Sequence, residues 1–334
     1  MLGTALSRRA PSPAAALVLL AALAACAPVL RPAGEPVMAP AYGDDALVMA
    51  DGMPLALHVW LPPGEPRAAI LALHGYNDHG NAFALPAQRW AELGIATYAY
   101  DQRGFGRSPE PGLWPGIAAL AADARAAAAL VRDRHPGVPL VLLGESMGGA
   151  VVAVVLAQGP PPGVQAAVLV APAVWGLDTM PWFYRASLWL TAHLVPGMTL
   201  SGSGLEIWPS DNIEMLRALG RDPLVIKQSR ADAVLGLVRL MDAGLAAGGT
   251  MPLPVLLVYG EQDQIVPREA MARFAARLDG PVRSATYPDG FHMLLRDLGR
   301  ALPVDDIAAF VFDPAAPLPS GHEARAPLFL APQD

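Results

Sequence analysis

The sequence predicts an α/β fold: a mostly parallel sheet with helices on both faces and a helical cap over one end. Three observations carry this. Short, continuously apolar runs alternate with longer helix-compatible segments, as buried parallel strands and their crossovers do. One such pair, 138–143 and 150–157, is joined by Gly144-Glu145-Ser146-Met147-Gly148-Gly149 in a strand–turn–helix arrangement. The rhythm breaks only between Val174 and Thr250, where no clear strand is found.

The chain starts with a basic pair, Arg8-Arg9, then an apolar run from Ala14 to Ala25, then its single cysteine, Cys26. Basic, apolar and small residues in that order make a secretory signal over residues 1–25, too short in its apolar run for a membrane span. Leu23-Ala24-Ala25-Cys26 resembles a bacterial lipobox, which implies a lipidated Cys26 as the mature N-terminus. A conventional signal peptide or an uncleaved anchor are the alternatives. Ala27 follows the cysteine in place of Asp, and the resemblance then implies a cell-envelope protein on the outer membrane, facing the periplasm. With one cysteine the chain forms no internal disulfide.

Residues 26–45 carry Pro28, Pro32, Pro36 and Pro40 and read as an extended tether. The domain proper is expected over 46–313. Strand-like runs at 46–50 and 55–61 flank an Asp51-Gly52 turn and form a hairpin. Further strands are expected at 68–73, 95–100, 138–143, 167–170, 255–259 and 282–286. Helices are expected at 83–93, 117–134, 150–157, 268–278 and 304–312. The insertion at about 174–250 reads as the cap. It holds Trp175, Trp182, Phe183, Tyr184, Trp189 and Trp208, with Met180, Met198, Met215 and Met241. Core packing is the expected role of this apolar set; an apolar substrate slot lined by the same residues is the alternative. Residues 314–334 are Pro-rich and read as a loose tail.

Composition excludes some functions. The chain of 334 residues is 53% hydrophobic and 16% charged, which excludes wholesale disorder. Net charge is −7 with no basic stripe, against nucleic-acid binding. No metal-ligand cluster or phosphate-cradling loop is apparent, so no cofactor or metal is implied.

The turn at Ser146 is where chemistry is expected. Its glycines permit a tight, strained turn that lifts the hydroxyl out at the top of a sheet. A serine hydroxyl is a weak nucleophile and needs a base and an orienting acid. In this fold the order is Ser, then Asp or Glu, then His. Asp263 lies in the loop after the 255–259 strand, and His292 lies after the 282–286 strand. Glu261 and Asp289 compete with Asp263, and His322 in the tail with His292. An oxyanion needs fixed N–H donors. Met147, next to the nucleophile, supplies one, and Tyr76, after Leu71-Ala72-Leu73-His74-Gly75, supplies the other. His74 reads as a brace for that loop.

Five motifs together resemble the α/β-hydrolase family and, within it, the monoacylglycerol lipase and lysophospholipase branch. They are His74-Gly75-Tyr76-Asn77-Asp78-His79, Tyr100-Asp101-Gln102-Arg103-Gly104-Phe105-Gly106-Arg107-Ser108, Gly144–Gly149, Gly260-x-x-Asp263-x-x-Val266-Pro267 and Phe291-His292. The resemblance implies a serine esterase acting through Ser146, Asp263 and His292 on monoacylglycerols, lysophospholipids or similar carboxylic esters. The chain departs from the branch in one place: its oxyanion loop reads His-Gly-Tyr-Asn-Asp-His where the lipases often read His-Gly-x-Gly-Glu-His. Amide or peptide cleavage by the same triad, and a lipid-binding lipoprotein without turnover, are the competing functions. Haloalkane dehalogenation needs a carboxylate nucleophile and is disfavoured.

Overall fold

A computed structural model of the chain describes residues 27–323, apart from 178, 179, 203, 205 and 250. The proposed signal peptide, Cys26 and residues 324–334 lie outside the described residues. In chain order the strands are β1 (Ala41–Tyr42), β2 (Ala46–Val48), β3 (Pro54–Trp60), β4 (Ala68–Leu73), β5 (Ile95–Tyr100), β6 (Leu140–Glu145), β7 (Val164–Val170), β8 (Thr199–Leu200), β9 (Ser229–Arg230), β10 (Val255–Gly260) and β11 (Val282–Tyr287). The α-helices are α1 (Ala84–Glu92), α2 (Ile117–Arg134), α3 (Met147–Ala157), α4 (Trp182–Leu194), α5 (Ile213–Arg221), α6 (Ala231–Ala246), α7 (Arg268–Ala275) and α8 (Ala301–Phe312).

Nine strands form one sheet in the order β1-β2-β3-β5-β4-β6-β7-β10-β11. From β5 to β11 the pairing is parallel, while β3 runs antiparallel to β5. Strands β4, β5, β6 and β10 are buried along their whole length, which is why they read as unbroken apolar runs. Their side chains alternate between two cores. Ala69, Leu71 and Leu73 pack with α2 and α3, and Ala68, Ile70 and Ala72 pack with α1 and α8. Helix α3 is buried from Met147 to Leu156, so its all-apolar sequence needs no polar face.

The cap, between β7 and β10, comprises α4, α5, α6 and the short β8–β9 ladder, an element the sequence pattern did not show. Its aromatic residues do not behave as expected. Trp182 is 72% exposed, and Phe183, Tyr184, Trp189 and Trp208 are exposed as well. Core packing is therefore overturned for these residues. Four of the five lie in α4, a largely apolar helix that buries only Ala192, and Trp208 lies in the segment between β8 and α5. Trp175, Met180 and Met241 turn toward the sheet instead.

Two segments make contacts that the sequence pattern did not indicate. The tether is held along its described length, because its extended backbone has free groups to pair. The Val29 N–H donates to Asp232 Oδ2 (3.0 Å), Leu30 bridges to Trp114, and the Val37 N–H donates to the Ala50 carbonyl (2.8 Å). The expected loose tail is fixed as far as Glu323. Leu318 is buried, Ser320 bonds Asp306, and Arg283 pairs with Glu323 at 2.7 Å. Glu323 also bridges to Ala285 of β11, and the Thr286 N–H donates to the His322 carbonyl (3.2 Å).

Candidate active site

Ser146 sits between β6 and α3 with φ 54° and ψ −115°. A serine in such backbone costs about 1–3 kcal/mol and persists only where its surroundings fix it. Here the Ser146 N–H donates to the Val170 carbonyl (2.9 Å), and the Ser146 carbonyl accepts from Ala173 (2.9 Å). Close packing of the turn needs bare glycine. A Cβ on Gly148 would overlap the Leu73 carbonyl, and one on Gly144 would overlap the Gly148 carbonyl.

Asp263 and His292 stand on the loops after β10 and β11, at the carboxyl ends of adjacent parallel strands. His292 Nδ1 lies 2.8 Å from Asp263 Oδ2. The other carboxylate oxygen, Oδ1, accepts the N–H groups of Ile265 (2.7 Å) and Val266 (3.0 Å), which fixes the carboxylate plane. An ionised carboxylate only accepts, so Nδ1 carries the proton and Nε2 is left as the basic nitrogen. Burial by itself lowers the His292 pKa; the Asp263 charge and hydrogen bond outweigh it and hold the imidazole above its ordinary value. Among the competitors, the Glu261 carboxylate lies 3.8 Å from Arg268, and His322 stacks on Tyr287.

The loop carrying Tyr76 is clamped from both sides. Beneath it, buried His74 accepts the Gln102 N–H at Nε2 (2.9 Å) and donates from Nδ1 to the Gly75 carbonyl (2.8 Å), the bracing expected of it. Above it, the cap reaches down: Asn77 donates to Ser229 Oγ (2.7 Å), and the Ile226 N–H donates to the Asn77 carbonyl (2.9 Å). The Tyr76 ring packs edge-on against Phe105, with centroids 5.5 Å apart, so its bulk is absorbed by neighbours. Burial pushes its hydroxyl up to about 12.

Ser146, His292, Gly75 and Tyr76 line one cavity of about 340 Å³ under the cap. Trp175, Met180, Leu237, Val238 and Met241 make one wall apolar. A second apolar cavity, about 410 Å³, shares Trp175 and Met180 with it and extends beside α4 past Tyr184 and Leu188.

The other end of the first cavity is polar, and sequence reasoning missed it. Arg296 is buried, 2.8 Å from Asp78 and 3.4 Å from Glu145. Burial raises the Asp78 carboxyl, but Arg296, His74 and the His79 N–H together outweigh that and hold it below its usual range. Glu145 is held above its usual range, chiefly by burial. Glu145 Oε1 and Arg296 Nε have no hydrogen-bond partner. The sequence signal was there: Arg296 is the one charge between Met293 and Leu295 on the His292 side and the acidic Asp297 on the other.

Residues 64–299 match the model of the serine aminopeptidase S33 family, Hydrolase_4. The chain belongs to that family. Over 266 residues it is 28% identical to a monoacylglycerol lipase of Mycolicibacterium smegmatis, covering 78% of this chain and 93% of the relative. It is 27% identical to the monoglyceride lipase of Mus musculus, covering 75% and 84% of the two chains. The monoacylglycerol lipase of Paleococcus ferrophilus has the same α/β-hydrolase fold, with a TM-score of 0.63 at 21% identity over 77% of this chain and 98% of that one. The yeast monoglyceride lipase, in a soluble variant bound to a substrate analogue, superposes with a TM-score of 0.65 at 17% identity, covering 85% and 97%. This S33 member is a carboxylic ester hydrolase, as the monoacylglycerol lipase resemblance implies.

Proposed function

We propose that the protein hydrolyses monoacylglycerols or lysophospholipids through a Ser146–His292–Asp263 triad. The observation that carries this is the Asp263–His292 pair facing the cavity that Ser146 enters from its strained turn. Ser146 Oγ attacks the ester carbonyl as His292 Nε2 takes its proton. The N–H groups of Tyr76 and Met147 hold the oxyanion. Collapse breaks the ester C–O bond, and His292 returns the proton to the departing alcohol. Water activated by His292 then attacks the acyl-enzyme, releasing the fatty acid and restoring Ser146. No cofactor enters these steps.

The cavity's two ends suit a monoacyl lipid. The apolar wall of Trp175, Met180 and Met241, continued by the second cavity, takes an acyl chain. The Asp78, Glu145 and Arg296 end has unmet hydrogen-bonding capacity for hydroxyls of the alcohol portion. A panel of monoacylglycerols, lysophospholipids, short esters and aminoacyl amides tests this, with the Ser146→Ala variant and fluorophosphonate labelling as controls. Long-chain monoacyl esters are expected to turn over fastest and Ser146→Ala to be silent. Faster amide turnover gives the aminopeptidase reading, which the family's name favours; retained turnover by Ser146→Ala removes the triad.

The same reading places the protein on a membrane through a lipidated Cys26. Support comes from the position of Val29, tied to Asp232 at the start of α6. Asp232 adjoins the exposed Val195 and Met198, since its N–H donates to the Pro196 carbonyl (3.3 Å) and that of Ala231 to the Met198 carbonyl (2.8 Å). A lipid at Cys26 would then share one side of the molecule with the exposed apolar residues of α4, a fit to a bilayer surface. Mass spectrometry of the mature N-terminus decides it: a lipid-modified Cys26 is expected, and an unmodified Cys26 or another cut site overturns it.

A further inference from the structure

Away from the nucleophile, three side chains converge beneath the oxyanion loop. His58 lies on β3, Asp101 follows β5, and His79 is three residues beyond Tyr76. One ligand-type atom from each lies within 4.8 Å of the others. His58 Nε2 is 2.8 Å from Asp101 Oδ1, and His79 Nδ1 is 4.0 Å from the same oxygen. We propose that His58 Nε2, His79 Nδ1 and Asp101 Oδ1 bind a divalent transition-metal ion of the zinc type, the ion taking the place of the hydrogen that His58 Nε2 donates to Asp101 Oδ1 while that imidazole keeps its proton on Nδ1.

The decisive feature is His79. Its other nitrogen, Nε2, is 3.0 Å from Asp222 Oδ2 in the cap. A carboxylate there accepts, so Nε2 carries the proton and the lone pair sits on Nδ1. That Nδ1 is buried without any hydrogen-bond partner. A carboxylate fixing the far nitrogen of an imidazole is how histidine ligands are commonly oriented toward zinc. A bare, buried, correctly tautomeric nitrogen aimed at a carboxylate is costly unless something electrophilic completes it.

The surroundings agree. Asp101 is fixed before any ion arrives: its oxygens accept the Gly80 and Arg107 N–H groups, each at 2.8 Å. A side chain on Gly106 would overlap both Asp101 and His79, so glycine there keeps the cluster open. His79, Ala82, Met215 and Asp222 line a groove of about 200 Å³ beside the cluster. Two imidazole nitrogens and one carboxylate oxygen suit zinc or its neighbours; magnesium and calcium prefer all-oxygen sets. An ion here would pin β3, the end of β5 and the oxyanion loop together, with Asp222 joining the cap.

The test uses the untagged mature chain, stripped with chelator and titrated with zinc chloride against a chromophoric competitor. One zinc per chain at sub-micromolar affinity is expected, with a rise in Tm. His58→Gln and His79→Gln should each weaken binding at least about 100-fold, and Asp222→Asn about 10–100-fold. Zinc-edge anomalous scattering from soaked wild-type crystals should place the peak between the three ligands, whatever the variants' folding. No uptake by the wild type, a peak elsewhere, or undiminished uptake in both histidine variants overturns the site.

Discussion

The Asp263 carboxylate and the His292 imidazole meet at 2.8 Å across two loops, and the Asp263 side chain is shut off from solvent. Asn at 263 can present an amide N–H to Nδ1 and stabilise the wrong tautomer. Asp263→Asn should lower kcat on a short-chain ester about 10³–10⁴-fold. The fold should survive, read by an unchanged Tm within a few degrees. A kcat within tenfold of wild type would reject the role of Asp263.

Under the proposed mechanism the same pair sets the acid limb of activity. The base must be neutral, and the folded His292 pKa is raised. Activity therefore falls as pH drops through a value above about 6.5, the ordinary imidazole pKa. In Asp263→Asn the counter-charge is gone while burial remains, so the limb should move to lower pH. Profiles of kcat/KM against pH for the two proteins give the comparison.

Legibility from sequence followed range. The positions of Ser146, Asp263 and His292 could be grouped from sequence because each follows an apolar strand, and strand order fixes which loops gather at one end of a parallel sheet. Tyr76 follows β4 in the same way, and Met147 adjoins Ser146. Arg296 with Asp78 and Glu145 was not, since those three meet across 218 residues without any periodic signal. Helix α4 misled because an apolar helix reads alike whether its residues face a core or solvent. His58, His79 and Asp101 escaped notice because their spacing in sequence matches no ligand motif; β3–β5 pairing brings the first and last together.

At the nucleophile turn the fit is steric. Gly148→Ala drives a methyl into the Leu73 carbonyl, a backbone atom that cannot swing aside. A loss of about 3 kcal/mol or more in urea unfolding is expected, with Ser146 labelling by fluorophosphonate sharply slowed. Wild-type labelling with unchanged stability would show that the turn tolerates the shift.

Arg296 holds two acids in the protein interior. Arg296→Met leaves Asp78 and Glu145 facing each other and should cost about 3–5 kcal/mol at neutral pH. The pH dependence adds a signature. The folded Asp78 pKa is depressed, so its stabilisation is present above about pH 4 and fades as pH falls toward the folded value. Glu145, raised in the folded state, works in the opposite sense above that range. The acid-side slope belonging to Asp78 should vanish in the variant, as denaturant melts from pH 3 to pH 6 would show.

The exposed aromatic face of α4 separates two kinds of substrate. Replacing Trp182 and Trp189 together by Ser should slow turnover of monoacylglycerol presented in anionic vesicles about tenfold. Hydrolysis of a dissolved short-chain ester should be unaffected. Equal losses on both would mean that these residues shape the cavity and not the approach to a surface.

The segment running to Glu323 has a consequence beyond its own packing. β11 is the last strand of the sheet, and its outer backbone groups are offered to whatever lies alongside. Thr286 and Ala285 meet His322 and Glu323 there, with the Arg283 guanidinium closing over the Glu323 carboxylate. An uncovered edge strand is a template for strands of other molecules. A chain shortened to about residue 313 would leave that edge uncovered, and its expected signature is concentration-dependent association that the full chain does not show.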